Sequence, residues 1–218
     1  PADFKSPPQG RFFDQYYSLY LAQTKCGWVR MQFERRGQYI HSQNHMHMEV
    51  GRDNLGIVII LKSQNVETLD GKPVSFESKI TMADSTTTYR GTVKNNFVTM
   101  EIIKPDASVK YKYEIPPDTV MDWGSHLQIL KNIHKRGTKF TTQTLDPTLG
   151  QGNILETVTE IFGVEKTTIA HKEISGIKVI SRAEKLGPLP IISYFDENGT
   201  MLSTEMQLGF AKVQIVAD

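Results

Sequence analysis

The chain has 218 residues, 39% of them hydrophobic, which is enough to build a sizeable buried core. Its 25 basic and 24 acidic side chains leave a formal net charge of +1, so no overall field draws the protein to nucleic acid or to an anionic bilayer. We therefore expect no nucleic-acid partner. No apolar run approaches the roughly 20 residues that a transmembrane segment needs.

The single cysteine, Cys26, excludes an internal disulfide framework and a zinc site made of several thiolates. It lies beside Gly27 and Trp28 at the start of a predicted strand. The sequence places neither a base nor a helix N-terminus next to it. We therefore interpret Cys26 as a small buried side chain rather than as a nucleophile.

Residues 1–12, which include Pro7, Pro8 and Gly10, predict a flexible N-terminal segment, and residues 13–218 predict one domain. Short β-type runs separated by turn residues dominate that domain, as in an antiparallel meander. Asp70 and Gly71 give a strong hairpin signal, because glycine accepts the positive φ of a tight turn. The predicted strands are 14–22, 26–34, 39–50, 55–69, 72–83, 87–93, 97–103, one ending at Pro116, and then 138–145, 153–162, 167–173, 177–185, 188–195, 200–207 and 212–216.

Helical periodicity is convincing only once, and it predicts a helix at about 118–136. Either Asp118 or Ser125 can be its N-cap, and the sequence does not decide between them. Four apolar residues form its buried stripe, four basic residues complement the dipole in its last turn, and Gly137 supplies the left-handed stop. The stripe is Leu127, Ile129, Leu130 and Ile133, and the basic residues are Lys131, His134, Lys135 and Arg136.

About a dozen antiparallel strands and one helix predict a mainly β fold. A twisted open sheet of more than about ten strands curls, so we expect a large, strongly curved antiparallel sheet, a half-open barrel, wrapped around a single α-helix.

Several local patterns occur here in the order in which they occur in one family. They are the strand, turn and glycine from Tyr16 to Gly27, the Glu67–Gly71 turn with the strand to Met82, Tyr89–Gly91, Gly137, Phe140, the Leu145–Pro147 corner, the Tyr194–Gly199 hairpin and Gly209. In this order the chain resembles the N-terminal domain of bacterial secreted transglutaminase-like proteins and the related β domains of unknown function that are similar to the lipoprotein carriers of the periplasm (LolA-like). The resemblance spans most of the chain. It implies an exported protein, periplasmic or extracellular, with this domain preceding a transglutaminase-like domain.

The sequence departs from the full-length family at the catalytic residues. Cys26 lies at a predicted hairpin turn, and no Cys, His and Asp constellation of a transglutaminase accompanies it. No phosphate loop and no serine elbow is present either. We therefore expect neither catalysis nor a cofactor.

His41, His45 and His47 alternate along the third strand and share one face, so two of these imidazoles could chelate a metal. A His-x-His pair without a third ligand on another strand is a weak metal pattern. The favoured interpretation is the polar face of a half-solvated sheet.

Two functions remain open. The first is a binding module with an apolar groove between helix and sheet for a lipid, a lipidated peptide or a partner segment, because methionine adapts to irregular apolar guests. Its candidate residues are Met46, Met48, Met82, Met100, Met121, Trp123, Leu127 and Leu130. The second is an accessory domain that positions or covers a downstream catalytic domain. For any one methionine, filling the core is the commoner role.

Overall fold

The computed structural model describes residues 6–218 except residues 53, 54, 150, 151, 153, 184, 186, 188, 209 and 210. Part of the predicted flexible segment, residues 1–5, lies outside the described residues. So do the predicted strand starts at 153 and 188, and Gly209 of the family-like pattern.

The described residues form one large antiparallel sheet that is not closed and a single α-helix, which confirms the predicted mainly β class. The strands are β1 Gly10–Leu21, β2 Thr24–Arg36, β3 Tyr39–Arg52, β4 Leu55–Thr68, β5 Pro73–Met82, β6 Ser85–Lys94, β7 Phe97–Ile103, β8 Ser108–Glu114, β9 Thr119–Val120, β10 Lys139–Leu145, β11 Ile154–Ile169, β12 Lys172–Arg182, β13 Ile191–Phe195, β14 Met201–Leu208 and β15 Ala211–Ala217. The helix is α1, Asp122–Asn132, and a 3-10 turn covers Pro147–Leu149.

The strand order is β8 to β1, then β15 down to β9. The two edges of the sheet, β8 and β9, therefore follow each other in the chain. Neighbouring strands are antiparallel throughout, apart from β9 and β10, which run parallel where Val120 faces Thr144. The sheet is thus a long meander whose ends approach each other without pairing.

The helix α1 lies inside the curl, and three clusters of buried side chains surround it. Its Trp123 packs with Phe33 of β2 and Ile40 of β3. Its last residues lead to Ile133, which packs against Ile161 of β11 and others. Met121, just before the helix, belongs to a third cluster with Phe76, Val98, Met100, Ile115 and Leu145. Strands from both halves of the sheet therefore bury the helix.

The helix is shorter than predicted at both ends, and neither predicted N-cap is used. Met121 is the N-cap residue, and no side chain of the helix itself caps the first turn. At the other end only Lys131 of the four predicted cations lies in the last turn. Gly137 does have a positive φ, of 81°, but it follows Asn132 by five residues and belongs to the turn into β10.

The first strand starts at Gly10 rather than at the predicted residue 14, and the preceding residues are attached to the sheet. The Arg35 guanidinium donates to the carbonyl of Pro7 at 2.7 Å. The Gln9 side chain exchanges two hydrogen bonds with the backbone of Gly37. The described part of the predicted flexible segment is therefore anchored.

The predicted strand 153–162 and the first residues of the predicted strand 167–173 form one continuous strand, β11, with a bulge between Ile161 and Gly163. Gly163 has a φ of 135°, which lets the strand bend and continue. The turn comes later, at Ala170 and His171, which adopt φ angles of 48° and 65°.

Among the described residues, no helix is both long and apolar enough to cross a membrane.

Candidate functional site: a cavity between the helix and the sheet

A buried carboxylate holds the amino end of α1. Glu67, the penultimate residue of β4, is fully buried, and its carboxylate accepts the backbone N–H groups of Met121, Trp123 and Gly124 at 3.1, 2.7 and 2.9 Å. A helix leaves its first N–H groups without partners inside the helix, and here a side chain from the sheet supplies the acceptor. Glu67 therefore fixes where the helix starts within the curl.

The first helical residue is held in a second way. The Asp122 carboxylate accepts one amide N–H from Asn44 of β3 and one from Asn65 of β4, both at 2.8 Å. Asn44 and Asn65 project from the inner face of the sheet, where alternation of the side chains places them. Two carboxylates thus lie close together at one end of the helix. Each has N–H donors from another element.

Close backbone contacts also fix the helix. An added Cβ at Gly124 would lie 2.6 Å from the carbonyl oxygen of Gly71, in the β4–β5 turn. An added Cβ at Gly199, in the turn after β13, would lie 2.3 Å from a methyl of Leu130. The turns that contain Gly71 and Gly199 therefore touch the helix directly, and these contacts leave the helix little freedom to shift.

A cavity of about 230 Å³ lies between α1 and the strands on one side of it, and we call it the helix cavity. Seven of its ten lining residues are apolar or aromatic. They are Phe13 and Tyr17 of β1, Met31 and Phe33 of β2, Ile129 of α1, Phe195 of β13 and Met201 of β14, and the polar ones are Asp122, Ser125 and His126.

The surroundings shift the pKa values of three titratable groups at the helix cavity. Burial raises the pKa of Asp122 to about 6, although the Asn65 amide counteracts this rise. Burial lowers the pKa of His126 to about 4, so its imidazole is neutral at pH 7. Burial, with a further contribution from Asp196, raises the pKa of Tyr17. At neutral pH the cavity therefore presents a neutral imidazole, a phenol and one carboxylate.

This arrangement can bind an apolar group and orient a polar end. Of the seven apolar or aromatic side chains, five are only half-buried, so their surface is available to a guest. A concave apolar surface with a few convergent polar groups is the usual form of a small-ligand site. The Asp122 carboxylate accepts hydrogen bonds from two side-chain amides, so it serves to hold the helix in place.

None of the residues predicted to line the apolar groove lines the helix cavity. Met100, Met121 and Trp123 are almost completely buried in the core clusters. Leu127 and Leu130 are half-buried and pack beside Trp123. Met46 and Met48 are half-buried on β3, and Met82 is 51% exposed at the end of β5. Of the predicted groove residues, Trp123, Leu127 and Leu130 thus pack in one cluster. Two other methionines, Met31 and Met201, line the helix cavity.

The three histidines share one face of β3, as the alternation predicts, but they do not converge on one point. His45 and His47 contact the Trp28 ring, with centroid distances of 4.7 and 6.2 Å. His41 is further along the strand, opposite Glu34. In the part of the chain that the structure describes, no three His, Cys, Asp or Glu side chains group as a metal site requires. Cys26 is half-buried, and burial raises the pKa of its thiol.

A larger cleft of about 470 Å³ lies between the β4–β5 turn, β9 and β10. Its lining is mostly polar, and Asp70, Lys72 and Asp118 are its charged residues. Polar surface outweighs apolar surface in this cleft, whereas the lining of the helix cavity is mainly apolar, so we regard the helix cavity as the candidate site.

Sequence reasoning missed the residues that define the site. Glu67 belongs to the predicted Glu67–Gly71 turn pattern, and neither Asn44 nor Asn65 belongs to any predicted site. A signal was present for both Asn44 and Asn65, since a polar residue on an otherwise apolar strand face needs a buried partner. Their common partner, Asp122, is 57 to 78 residues away in the chain, so no local pattern reveals it.

No family model matches the chain, and no curated protein matches it either. Among solved structures it is similar to a β-barrel-like protein of a domain of unknown function, DUF1849, from Brucella abortus. The TM-score is 0.67 at 11% identity, covering 94% of this chain and 96% of that one. A “putative lipoprotein” from Parabacteroides distasonis matches over 100% and 98% of the two chains at 10% identity, with a TM-score of 0.34. The first likeness shows the fold alone, and this chain therefore has a β-barrel-like fold shared with a domain of unknown function.

Proposed function

We propose that this chain is a binding or accessory domain without catalysis, and that its helix cavity takes up a small apolar group. The observation that carries the proposal is the half-buried apolar lining of the cavity, which includes Met31 of β2 and Met201 of β14. Methionine side chains adapt their shape to an irregular guest.

The size of the cavity limits the guest. Its volume of about 230 Å³ is below the roughly 300–1,000 Å³ of pockets that enclose a drug-sized ligand. A short acyl chain, or one apolar side chain of a partner segment, fits this space, whereas a complete lipid does not. A carrier that holds the end of a lipid chain is therefore our second candidate, and a carrier that encloses a whole lipid is disfavoured.

The carboxylates favour a structural role over catalysis. A catalytic acid or base must reach a substrate proton. Both oxygens of Glu67 already accept backbone N–H groups of the helix, and Asp122 accepts two amide N–H groups. We therefore assign both acids to holding α1, and the apolar lining to binding.

We further propose that the domain belongs to an exported bacterial protein, periplasmic or extracellular, and precedes a transglutaminase-like domain. This part rests on the resemblance carried by segments such as Tyr16–Gly27 and Tyr194–Gly199. The parent gene tests it. We expect a signal sequence upstream and a domain with Cys, His and Asp catalytic residues downstream, and a stop codon directly after Asp218 would rule out the accessory role.

Native mass spectrometry of protein purified without detergent tests the binding role. A bound apolar molecule adds mass to the native protein and disappears on extraction with organic solvent. We expect such added mass to fall when Met31→Trp fills the cavity, and to persist in Val164→Trp, a control at a residue that is 74% exposed on β11. Added mass that is equal in the two variants would place the ligand elsewhere and contradict the proposal.

A further inference from the structure

The outer face of β2 to β5, opposite to the face that carries Ile40 and Asn44, bears an unusual row of basic side chains. Arg30 of β2 lies directly opposite His45 of β3, His45 opposite Lys62 of β4, and Lys62 opposite Lys79 of β5. We call these four residues the cation row. Lys62 and Lys79 are like charges directly opposite each other, an arrangement that is destabilising in a sheet, so this pair costs stability in the free protein.

Acidic neighbours neutralise only the two ends of the cation row. The Asp14 carboxylate accepts two hydrogen bonds from the Arg30 guanidinium, at 2.7 and 2.8 Å. Lys79 forms an ion pair with Glu77 at 2.9 Å. Lys62, in the middle of the row, is exposed and has no ion pair with any residue that the structure describes. Its charge is therefore available to an anion.

An amide row runs parallel to the cation row. Gln32 of β2 lies opposite Gln43 of β3, and Gln43 lies opposite Gln64 of β4. A primary amide both donates and accepts hydrogen bonds, which is the pairing capacity that hydroxyl groups require. Gln32 is partly used, because it donates to Asp14 at 2.9 Å. Gln43 and Gln64 present their side-chain amides to a ligand beside Lys62.

The two rows enclose a depression of about 240 Å³ on the outer face, lined by Arg30, Gln32, Gln43, His45, Lys62 and Gln64 and by the chain at Asn44 and Ser63. This space is many times what a single bound water needs, and it leaves room for one sugar ring with a charged substituent. The side chains that line it are all polar, so a lipid chain gains nothing there.

We propose that this depression binds an acidic sugar, a hydroxyl-rich ring that carries a carboxylate. The Lys62 ammonium pairs with the carboxylate, and the amides of Gln43 and Gln64 exchange hydrogen bonds with the ring hydroxyls. Charge complementarity and the amide row together select this class. The site lies on the opposite face of the sheet from the helix cavity, so the proposal is independent of the function proposed above.

The pKa of His45 indicates whether the depression is occupied. Burial lowers the pKa of His45, and the charges of Lys62, His47 and Arg30 lower it further. A carboxylate bound between Arg30 and Lys62 offsets those positive charges. By linkage, the imidazole then titrates at a higher pH in the complex than in the free protein.

The test is an NMR titration of the whole chain with trigalacturonic acid. The backbone amide signals of β2–β4 and the ring signals of His45 are the readout. We expect saturable shifts confined to these strands and a rise in the pKa of His45. Lys62→Gln and Gln43→Ala should each weaken binding by roughly tenfold. Lys110→Gln, a matched change of an exposed lysine on β8, should leave it unchanged.

Three outcomes would overturn the proposal. Equal binding by wild type and Lys62→Gln would show that the cation row takes no part. Equal weakening by Lys62→Gln and Lys110→Gln would show attraction by overall charge alone. Equal affinity for inorganic phosphate, or for the neutral trisaccharide of galactose, would show that the site does not require a sugar with an acid. Lys62 is exposed beside like charges, so the variant is expected to fold.

Discussion

The carboxylate of Glu67 lies directly beneath the first turn of α1, where one of its oxygens accepts the backbone N–H of Trp123 at 2.7 Å. Trp123 in turn donates its indole N–H to the carbonyl of Leu69, two residues after Glu67 in the chain. The end of β4 and the start of the helix are thus joined by side-chain contacts in both directions. The helix cavity exists because this junction sets the position of α1 within the curled sheet.

Replacing Glu67 should destabilise the fold. In Glu67→Gln one oxygen, which can accept a backbone N–H whether the acid is ionised or protonated, becomes an NH₂ group that cannot accept, so buried donors lose their partner. We expect the free energy of unfolding to fall by about 2 kcal/mol in chemical denaturation at pH 7. Glu49→Gln, at a side chain that is 68% exposed, is the control and should change it by less than about 0.5 kcal/mol. An unchanged midpoint for Glu67→Gln would show that the carboxylate does not hold the helix.

Stability should also depend on pH through the same acids. Burial and the neighbouring Asp122 raise the pKa of Glu67 to about 8, against the effect of the three N–H donors, and burial raises that of Asp122 to about 6. An acid with a raised pKa keeps more protons in the folded state than in the unfolded state, so stability falls as pH rises through the folded pKa. Below about pH 6.5 the lowered pKa of His126 acts in the opposite direction, because unfolding there frees an imidazole that takes up a proton.

We therefore expect the free energy of unfolding to decrease between pH 6.5 and 8.5, by up to about 1 kcal/mol per pH unit. Asp122→Asn keeps an oxygen that can accept from Asn44 and Asn65 but removes the charge that raises the pKa of Glu67. This variant should lose stability at lower pH than wild type and be the more stable of the two at pH 8. Parallel profiles for the two proteins in urea denaturation would contradict the electrostatic coupling.

Gly124→Ala should destabilise the protein, although the same change inside a helix usually stabilises by about 1 kcal/mol. The added Cβ would lie 2.6 Å from the Gly71 carbonyl oxygen and 2.6 Å from a carbon of Val120, closer than real Cβ contacts allow. We expect a loss of about 2 kcal/mol. Gly56→Ala on β4 is the matched control, since nothing lies within 4 Å of its added Cβ. A thermal unfolding midpoint above that of wild type for Gly124→Ala would show that the contact between the turn and the helix is loose.

The overall fold was largely predictable from the sequence because it rests on local signals. Alternating side chains mark most strands of the meander, the Asp70-Gly71 and Asn198-Gly199 pairs mark two of its turns, and the count of strands requires the sheet to curl. The errors come where a turn carries no such signal. The β11–β12 turn uses Ala170 and His171 at positive φ, while Gly163, which looks like a break, is a bulge inside β11. The predictions therefore misplaced both the end of β11 and the turn into β12.

The candidate site was less predictable, because it depends on contacts between residues far apart in the chain. The helix was expected to start at a side-chain cap of its own, but its cap is Glu67, more than fifty residues earlier. The predicted groove was chosen by residue type, whereas burial in the curled sheet decides which methionines reach the cavity. Met100 and Met121 complete the core, and Met31 faces the helix cavity. Residue type alone does not distinguish these places.

The central claim is that the helix cavity accepts an apolar group, and a titration with octanoate tests it most directly. Burying about four methylenes at about 0.8 kcal/mol each implies weak binding, with a dissociation constant of about 5 mM, so methyl NMR signals of Met31, Ile129 and Met201 are the suitable readout. We predict saturable shifts of these three methyl groups in wild type and in Val164→Trp, and no shifts of the Ile129 and Met201 methyl groups in Met31→Trp. Shifts that are absent in wild type, or that survive unchanged in Met31→Trp, would contradict the account.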